Sequence, residues 1–306
     1  MAEERVLGVA VESKAGKAVI EAERVIDASG DADVVYRAGF DYTMGQDGTV
    51  QNPTMIFRLG GVDVERFLDY WGPDSICSPA VSELLIRENQ AGRYDLPRTK
   101  IWLFPTPRPG EILCNATRLI GSDGRMLDTT DPEDLTEAEI EGRRQVRDYA
   151  RFFKDFVPGC EGSFVNDTGV QAGIRQSRSI VGVERLHNGD VTARRKDTDG
   201  IARSPWPIEL HVGDKPKLEW LHDDFYEVPY GALLPERGEN LIVAGRCFSA
   251  EHEALASARV TAQCFAYGHA AGLAAVMSME SGRPLRVIPG AEVRERLNED
   301  GARLDG

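Results

Sequence analysis

Cysteine is scarce in this chain, and none of it is paired by spacing. Five cysteines occur in 306 residues (Cys77, Cys114, Cys160, Cys247 and Cys264), an odd number without a C-x-x-C. That argues against a disulfide framework or a zinc site, so no metal is expected and reduced thiols in a cytoplasmic protein are. Basic charge is also short, with 36 Lys and Arg against 50 Asp and Glu and a net charge of −14. So acidic a surface repels phosphate backbones and anionic headgroups, which excludes nucleic acid and membrane surfaces as expected partners. The start, MAEERVLGV, lacks the apolar segment of a secretion signal. The most apolar stretch, Ala254 to Met279, is broken by Arg259, Gln263 and His269 and predicts a buried helix rather than a span.

What is present reads as three segments. In the first, Val6, Val9 and Val11 lead through Ala15-Gly16-Lys17 to a return strand, predicting a β-hairpin. Arg24-Val25-Ile26-Asp27-Ala28-Ser29-Gly30-Asp31 follows as a short strand stopped by small and polar residues, with a helix over Asp33 to Ala38. From about residue 45 to 225 Pro, Trp and β-formers increase. Lys100 to Phe104 and Glu111 to Leu119 predict paired strands around a Pro-rich turn. Thr136 and Glu139 match a capping box, and Val146, Tyr149, Ala150, Phe153, Phe156 and Val157 recur at helical spacing until Pro158-Gly159. This block predicts an α+β insertion, assigned to substrate binding by its position alone.

The last segment returns to α/β patterning. Asn240-Leu241-Ile242-Val243-Ala244-Gly245 predicts a buried strand ending in glycine. A helix starting near Ala256, dense in Ala and Gly, would follow and point its N-terminus back at that strand end. Ligands of open α/β sheets bind beyond the carboxyl ends of strands, and a helix N-terminus there favours negative charge. The alternative for the helix is a tightly packed core element.

Taken in order, VIDASGDADV, LTEAEIEGRRQV, GIRQSRSIVG, YEVPYGALLP and NLIVAGRCFSAEHEALASARVTAQCFAYGHAAGLAA resemble the FAD-dependent oxidoreductase family related to the glutathione-reductase-type flavoproteins. The resemblance covers nearly the whole chain. It implies an α/β fold in which an FAD/NAD(P)-binding Rossmann-like domain (1–44 and 226–306) is interrupted by an α+β substrate domain (45–225). It implies FAD as cofactor and hydride transfer between flavin and a small organic substrate. By position, Ser29, Gly30 and Asp31 resemble the adenosine side, and Ala244, Gly245 and Arg246 the strand end beside the ribityl and pyrophosphate. Ser257, Ala258, Arg259 and Val260 resemble the helix start facing the isoalloxazine. Gln176 stands where the family pattern favours Glu, and Ser29 where Thr is commoner.

A G-x-G-x-x-G turn, which would bind the ADP half, does not occur in the sequence. The expectation is therefore a Rossmann-like domain incomplete at its N-terminus. Either the chain is a fragment, or a separate Rossmann-bearing chain partners it as an accessory subunit, or flavin binding has been lost. A homo-oligomer is equally compatible.

Candidate catalytic groups follow from side-chain chemistry. His252 is the expected acid/base, since imidazole titrates near neutrality, with a backbone-bonded helix-start histidine as the alternative. Arg246 would offset flavin charge or grip a substrate carboxylate, or else pair with Glu251 or Glu253. Arg175 and Arg178, on one face if the segment is a helical turn, and Tyr230 beside Pro229 are the expected substrate contacts. Cys247 reads as a small buried thiol.

Overall fold

In the computed structural model, which describes residues 4–211 and 216–305, the chain is mixed α/β. In chain order the first elements are β1 (Gly8–Ser13), β2 (Gly16–Glu21), β3 (Val25–Asp27), α1 (Asp33–Arg37) and β4 (Tyr42–Met44). Then come β5 (Phe57–Gly60), α2 (Val64–Trp71), α3 (Pro79–Gln90), β6 (Trp102–Pro105), β7 (Ile112–Asn115), α4 (Pro132–Phe156) and β8 (Phe164–Thr168). These lead to β9 (Arg178–Ile180), α5 (Asn188–Thr192), β10 (Gly200–Ser204), β11 (Ile208–Leu210), β12 (Lys217–Glu219) and β13 (Tyr226–Pro229). The last are β14 (Leu241–Val243), α6 (His252–Ala258), α7 (Thr261–Ser281) and α8 (Gly290–Glu299).

Two compact units result. One comprises Met1–Val50, Gln176–Leu210 and Lys217–Gly306; the other comprises Gln51–Arg175 and His211–Pro216. These divisions differ from the exchanges at about 45 and 225 that composition suggested. The reason is strand pairing: β9 joins β4, and β10 joins β13, which ties residues 178–204 to the terminal segments.

In the terminal unit, β3 and β14 lie parallel with Val25 opposite Leu241 and Asp27 opposite Val243. Val25 N–H donates to Asn240 O at 2.9 Å and Ala244 N–H to Asp27 O at 3.0 Å, extending the pairing at both ends. Helix α7 packs on β3, β10 and α8. Tyr267, Ala270, Ala271, Ala274 and Ser278 form its buried stripe, while Ala262 and Gly268 are exposed. The expected single helix from Ala256 is also corrected: α6 starts at His252, Arg259 and Val260 interrupt, and α7 starts at Thr261.

The other unit is α+β. Its antiparallel sheet runs β6-β7-β5-β8, and α4 packs against it. Val146, Tyr149, Phe152, Phe153 and Val157 are buried in that contact, and Phe153 stacks on Phe57 at 6.5 Å between ring centroids. The capping box at Thr136 does not form. Asp131 caps the helix instead, accepting from Glu133 N–H at 2.8 Å and Asp134 N–H at 3.2 Å, with Pro132 in the first turn. Thr136 lies a turn inside, its hydroxyl donating to Pro132 O. Aspartate followed by proline is the stronger start signal, because it satisfies two free N–H groups where proline has none to leave.

Candidate functional site

In the terminal unit the carboxyl ends of β3 and β14 lie side by side, and the chain turns sharply after each. Asp27, almost fully buried, organises the first turn. Its carboxylate accepts from Ser29 N–H at 3.0 Å, Ser29 Oγ at 2.7 Å, Val34 N–H at 2.9 Å and Val35 N–H at 3.2 Å. One side chain therefore closes the loop and caps α1. Sequence reading passed over Asp27; its signal was an acid at a strand end just ahead of a helix start.

Gly30 follows at φ 80°, a conformation that side chains disfavour, and a Cβ there would lie 2.5 Å from Arg246 Nη1. The glycine is needed because a guanidinium covers it. Arg246 Nη2 donates to Asp31 Oδ1 at 2.7 Å, and the Ser177 hydroxyl donates to the same oxygen. Arg178 Nε donates to Asp31 O at 2.7 Å, its Nη2 reaches Asp33 Oδ1 at 2.5 Å, and its guanidinium lies 4.4 Å over the Tyr36 ring. Arg246 thus pairs with Asp31, not with Glu251 or Glu253, whose partners lie elsewhere. Glu251 accepts from Asn188 N–H at 2.7 Å, and Lys217 holds Glu253 at 2.9 Å.

On the second strand end, Ala244 continues the pairing and Gly245 turns the chain at φ 94° with open space where a Cβ would stand. Cys247 is buried, its Sγ directed at Asp27 O, and burial pushes its thiol up to about 12. A thiol held neutral there is packing material, as its sequence context suggested.

His252, 7% exposed, opens α6, and among the described residues its Nδ1 has no hydrogen-bond partner. Burial lowers its pKa, so the imidazole is neutral near pH 7. The Nε of Arg246 is likewise buried with no partner among the described residues. Arg259 lies between α6 and α7; desolvation lowers its pKa to about 10, with Glu209 opposing and Arg246 reinforcing the shift. Arg246 and Arg259 both act on Cys264 in the first turn of α7. Val260 precedes that turn as N-cap and offers no side-chain hydrogen bond. Arg246, just past the end of β14, Arg259 and the uncapped start of α7 therefore lie close together.

Other expected residues are placed differently. Ser257 and Ala258 are buried inside α6, not at a helix start. The Ser257 hydroxyl donates to Trp206 O at 2.6 Å and meets Tyr226 Oη at 2.8 Å. Tyr230 is buried and donates to Leu285 O at 3.1 Å, so its hydroxyl is already engaged. Arg175 and Arg178 do not share a helical face: the chain between them is not helical and Arg178 starts β9. Arg175 belongs to the other unit, donating to Asn52 O at 2.7 Å. Gln176 is buried, and its Oε1 has no partner among the described residues.

These groups suit a flavin nucleotide in one respect that the geometry tests directly. The buried donor Arg246 Nε and the free N–H groups of α7 call for an acceptor-rich, electron-rich ligand, and Gly245 leaves room for close approach. A family model described as FAD dependent oxidoreductase matches residues 1–297. Comparison with curated proteins and with solved structures found no match.

Proposed function

Because the chain belongs to the FAD dependent oxidoreductase family, we propose that it passes hydride between a small organic substrate and FAD at the paired ends of β3 and β14. These ends then belong to a Rossmann-like FAD-binding domain. The observation that carries this reading is the buried, unpartnered Nε of Arg246 beside the uncapped start of α7. FAD, when bound, supplies the redox chemistry.

The chain's own residues then have separate tasks. Arg246 and the first-turn N–H groups of α7, after Val260, offset negative charge on the cofactor, and Arg259 adds to the positive field. Gly245 and Ala244 let the backbone come close. Ser29, Gly30 and Asp31 act chiefly by shaping the turn that holds Arg246. His252, neutral and with a free Nδ1, takes a proton from the substrate at that atom.

A second reading, in which a separate chain completes the flavin site, is favoured by one observation. Among the described residues β3 pairs only with β14, and Ile26 in its middle is 39% exposed, whereas strands of parallel sheets are ordinarily covered.

The test is to purify the chain, add FAD, remove excess and record the visible spectrum. A yellow protein whose colour is lost in Arg246→Ala supports the first reading. A folded, colourless protein refutes flavin binding by this chain alone and leaves the second reading standing.

A further inference from the structure

One buried hydrogen-bond chain in the terminal unit ends on an unmet acceptor. The Ser257 hydroxyl donates to Trp206 O at 2.6 Å, and a backbone carbonyl can only accept. Ser257 has no second proton, so the Tyr226 hydroxyl, 2.8 Å away, donates to it. Ser204, opposite Tyr226 across the β10–β13 pair, bonds the same phenol oxygen and must therefore donate to it. That leaves the Ser204 oxygen to accept from Gln263 Nε2 at 2.9 Å. Each bond fixes the direction of the next, so the amine end of the Gln263 amide faces Ser204.

The carbonyl end, Oε1, is left over. Gln263 is 6% exposed, and among the described residues Oε1 has no hydrogen-bond partner. The residue stands in the first turn of α7, beside Cys264, on which Arg246 acts. The first-turn N–H groups and the buried Arg246 Nε are donors, which a phosphate or a carboxylate would answer. Neither of those presents a proton to Gln263 at neutral pH, and a buried acceptor left unmet is costly. A group that answers both kinds carries an N–H between two carbonyls. FAD has that imide edge on its isoalloxazine ring (C2=O, N3–H, C4=O), whereas its pyrophosphate offers only acceptors.

We propose that Gln263 is a specificity-determining residue for the flavin ring. Its Oε1 accepts from the isoalloxazine N3–H, while donors at the start of α7 answer the flanking carbonyls. The ring, and not the pyrophosphate, then lies at this helix start. The role rests on FAD binding by the chain, and a comparison of two ligands separates the one from the other.

FAD and 3-methyl-FAD, which has a methyl group in place of the N3 proton, are titrated separately into the purified full chain, and calorimetry gives the affinities. The unaltered chain is expected to bind FAD about tenfold or more tightly than the analogue, which leaves Oε1 unmet. In Gln263→Leu, FAD should bind more weakly and the two ligands equally. Should Gln263→Leu not fold, the comparison in the unaltered chain still decides. Equal affinities there, or an undiminished preference in folded Gln263→Leu, overturn the proposal and leave FAD binding intact, with Oε1 bonded to water. If neither ligand binds, the proposal falls together with FAD binding by this chain.

Discussion

Arg246 Nη2 lies 2.7 Å from Asp31 Oδ1, a charge-assisted pair joining the turns that follow two parallel strands 215 residues apart in sequence. Both side chains are largely shielded, at 24% and 18% exposure, so the pair is neither a surface bridge nor fully desolvated. Removing Arg246 strands a carboxylate that also accepts from Ser177. Arg246→Ala is therefore expected to lower stability by about 2 kcal/mol in denaturant unfolding. Asp31→Ala should cost a similar amount, and the double variant less than the sum. Strict additivity would show that the pair is not formed in solution.

Gly30 is constrained by the same guanidinium. Gly30→Ala must adopt a positive φ and push Arg246 aside, with an expected cost of about 1–3 kcal/mol. Part of that cost is the collision, so it should shrink in an Arg246→Ala background. An equal cost in both backgrounds would assign the whole effect to φ.

His252 makes stability depend on pH. Its folded pKa is lowered by burial, so the unfolded chain binds a proton more readily than the folded one. Stability is then full above the unfolded value, about 6.5, and is lost as pH falls below it towards the folded pKa. Unfolding free energy measured between about pH 7 and 5 should fall with pH, less steeply in His252→Gln. Identical slopes in the two proteins would rule out this histidine as the titrating group.

The start of α4 separates two candidate caps. Asp131→Ala is expected to cost about 1 kcal/mol, since it removes the acceptor for two N–H groups. Thr136→Ala, at an exposed helical position, should stay within about 0.5 kcal/mol. Thermal or denaturant melts of the two variants decide the matter, and the reverse ranking would place the helix start at Thr136.

Local signals were legible where one segment decides the outcome. The hairpin of β1 and β2, the helix after Asp27, the apolar face of α4 and the strand Leu241–Val243 all follow from alternation, helical spacing or turn residues. Errors arose where two local patterns competed. Thr136 with Glu139 matched a capping box, yet Asp131-Pro132 lies five residues earlier and satisfies more of the helix start. The Ala-rich run around Ala256 suggested one helix, but Arg259 and Val260 break it. Arg175 and Arg178 have helical spacing, but the segment runs into β9, where pairing with β4 holds it extended.

The sequence by itself determined the family, the use of FAD by that family, the parallel-strand ends with their glycines, and the absence of a paired-cysteine framework. Each of these is carried by contiguous residues or by composition. Only the tertiary structure decided that Arg246 answers Asp31 rather than its neighbouring glutamates, that Asp27 ties a loop to a helix, and that Tyr230 spends its hydroxyl on Leu285. Hydrogen-bond partners are chosen by distance and burial in space, and residues far apart in the chain compete for them on equal terms with neighbours.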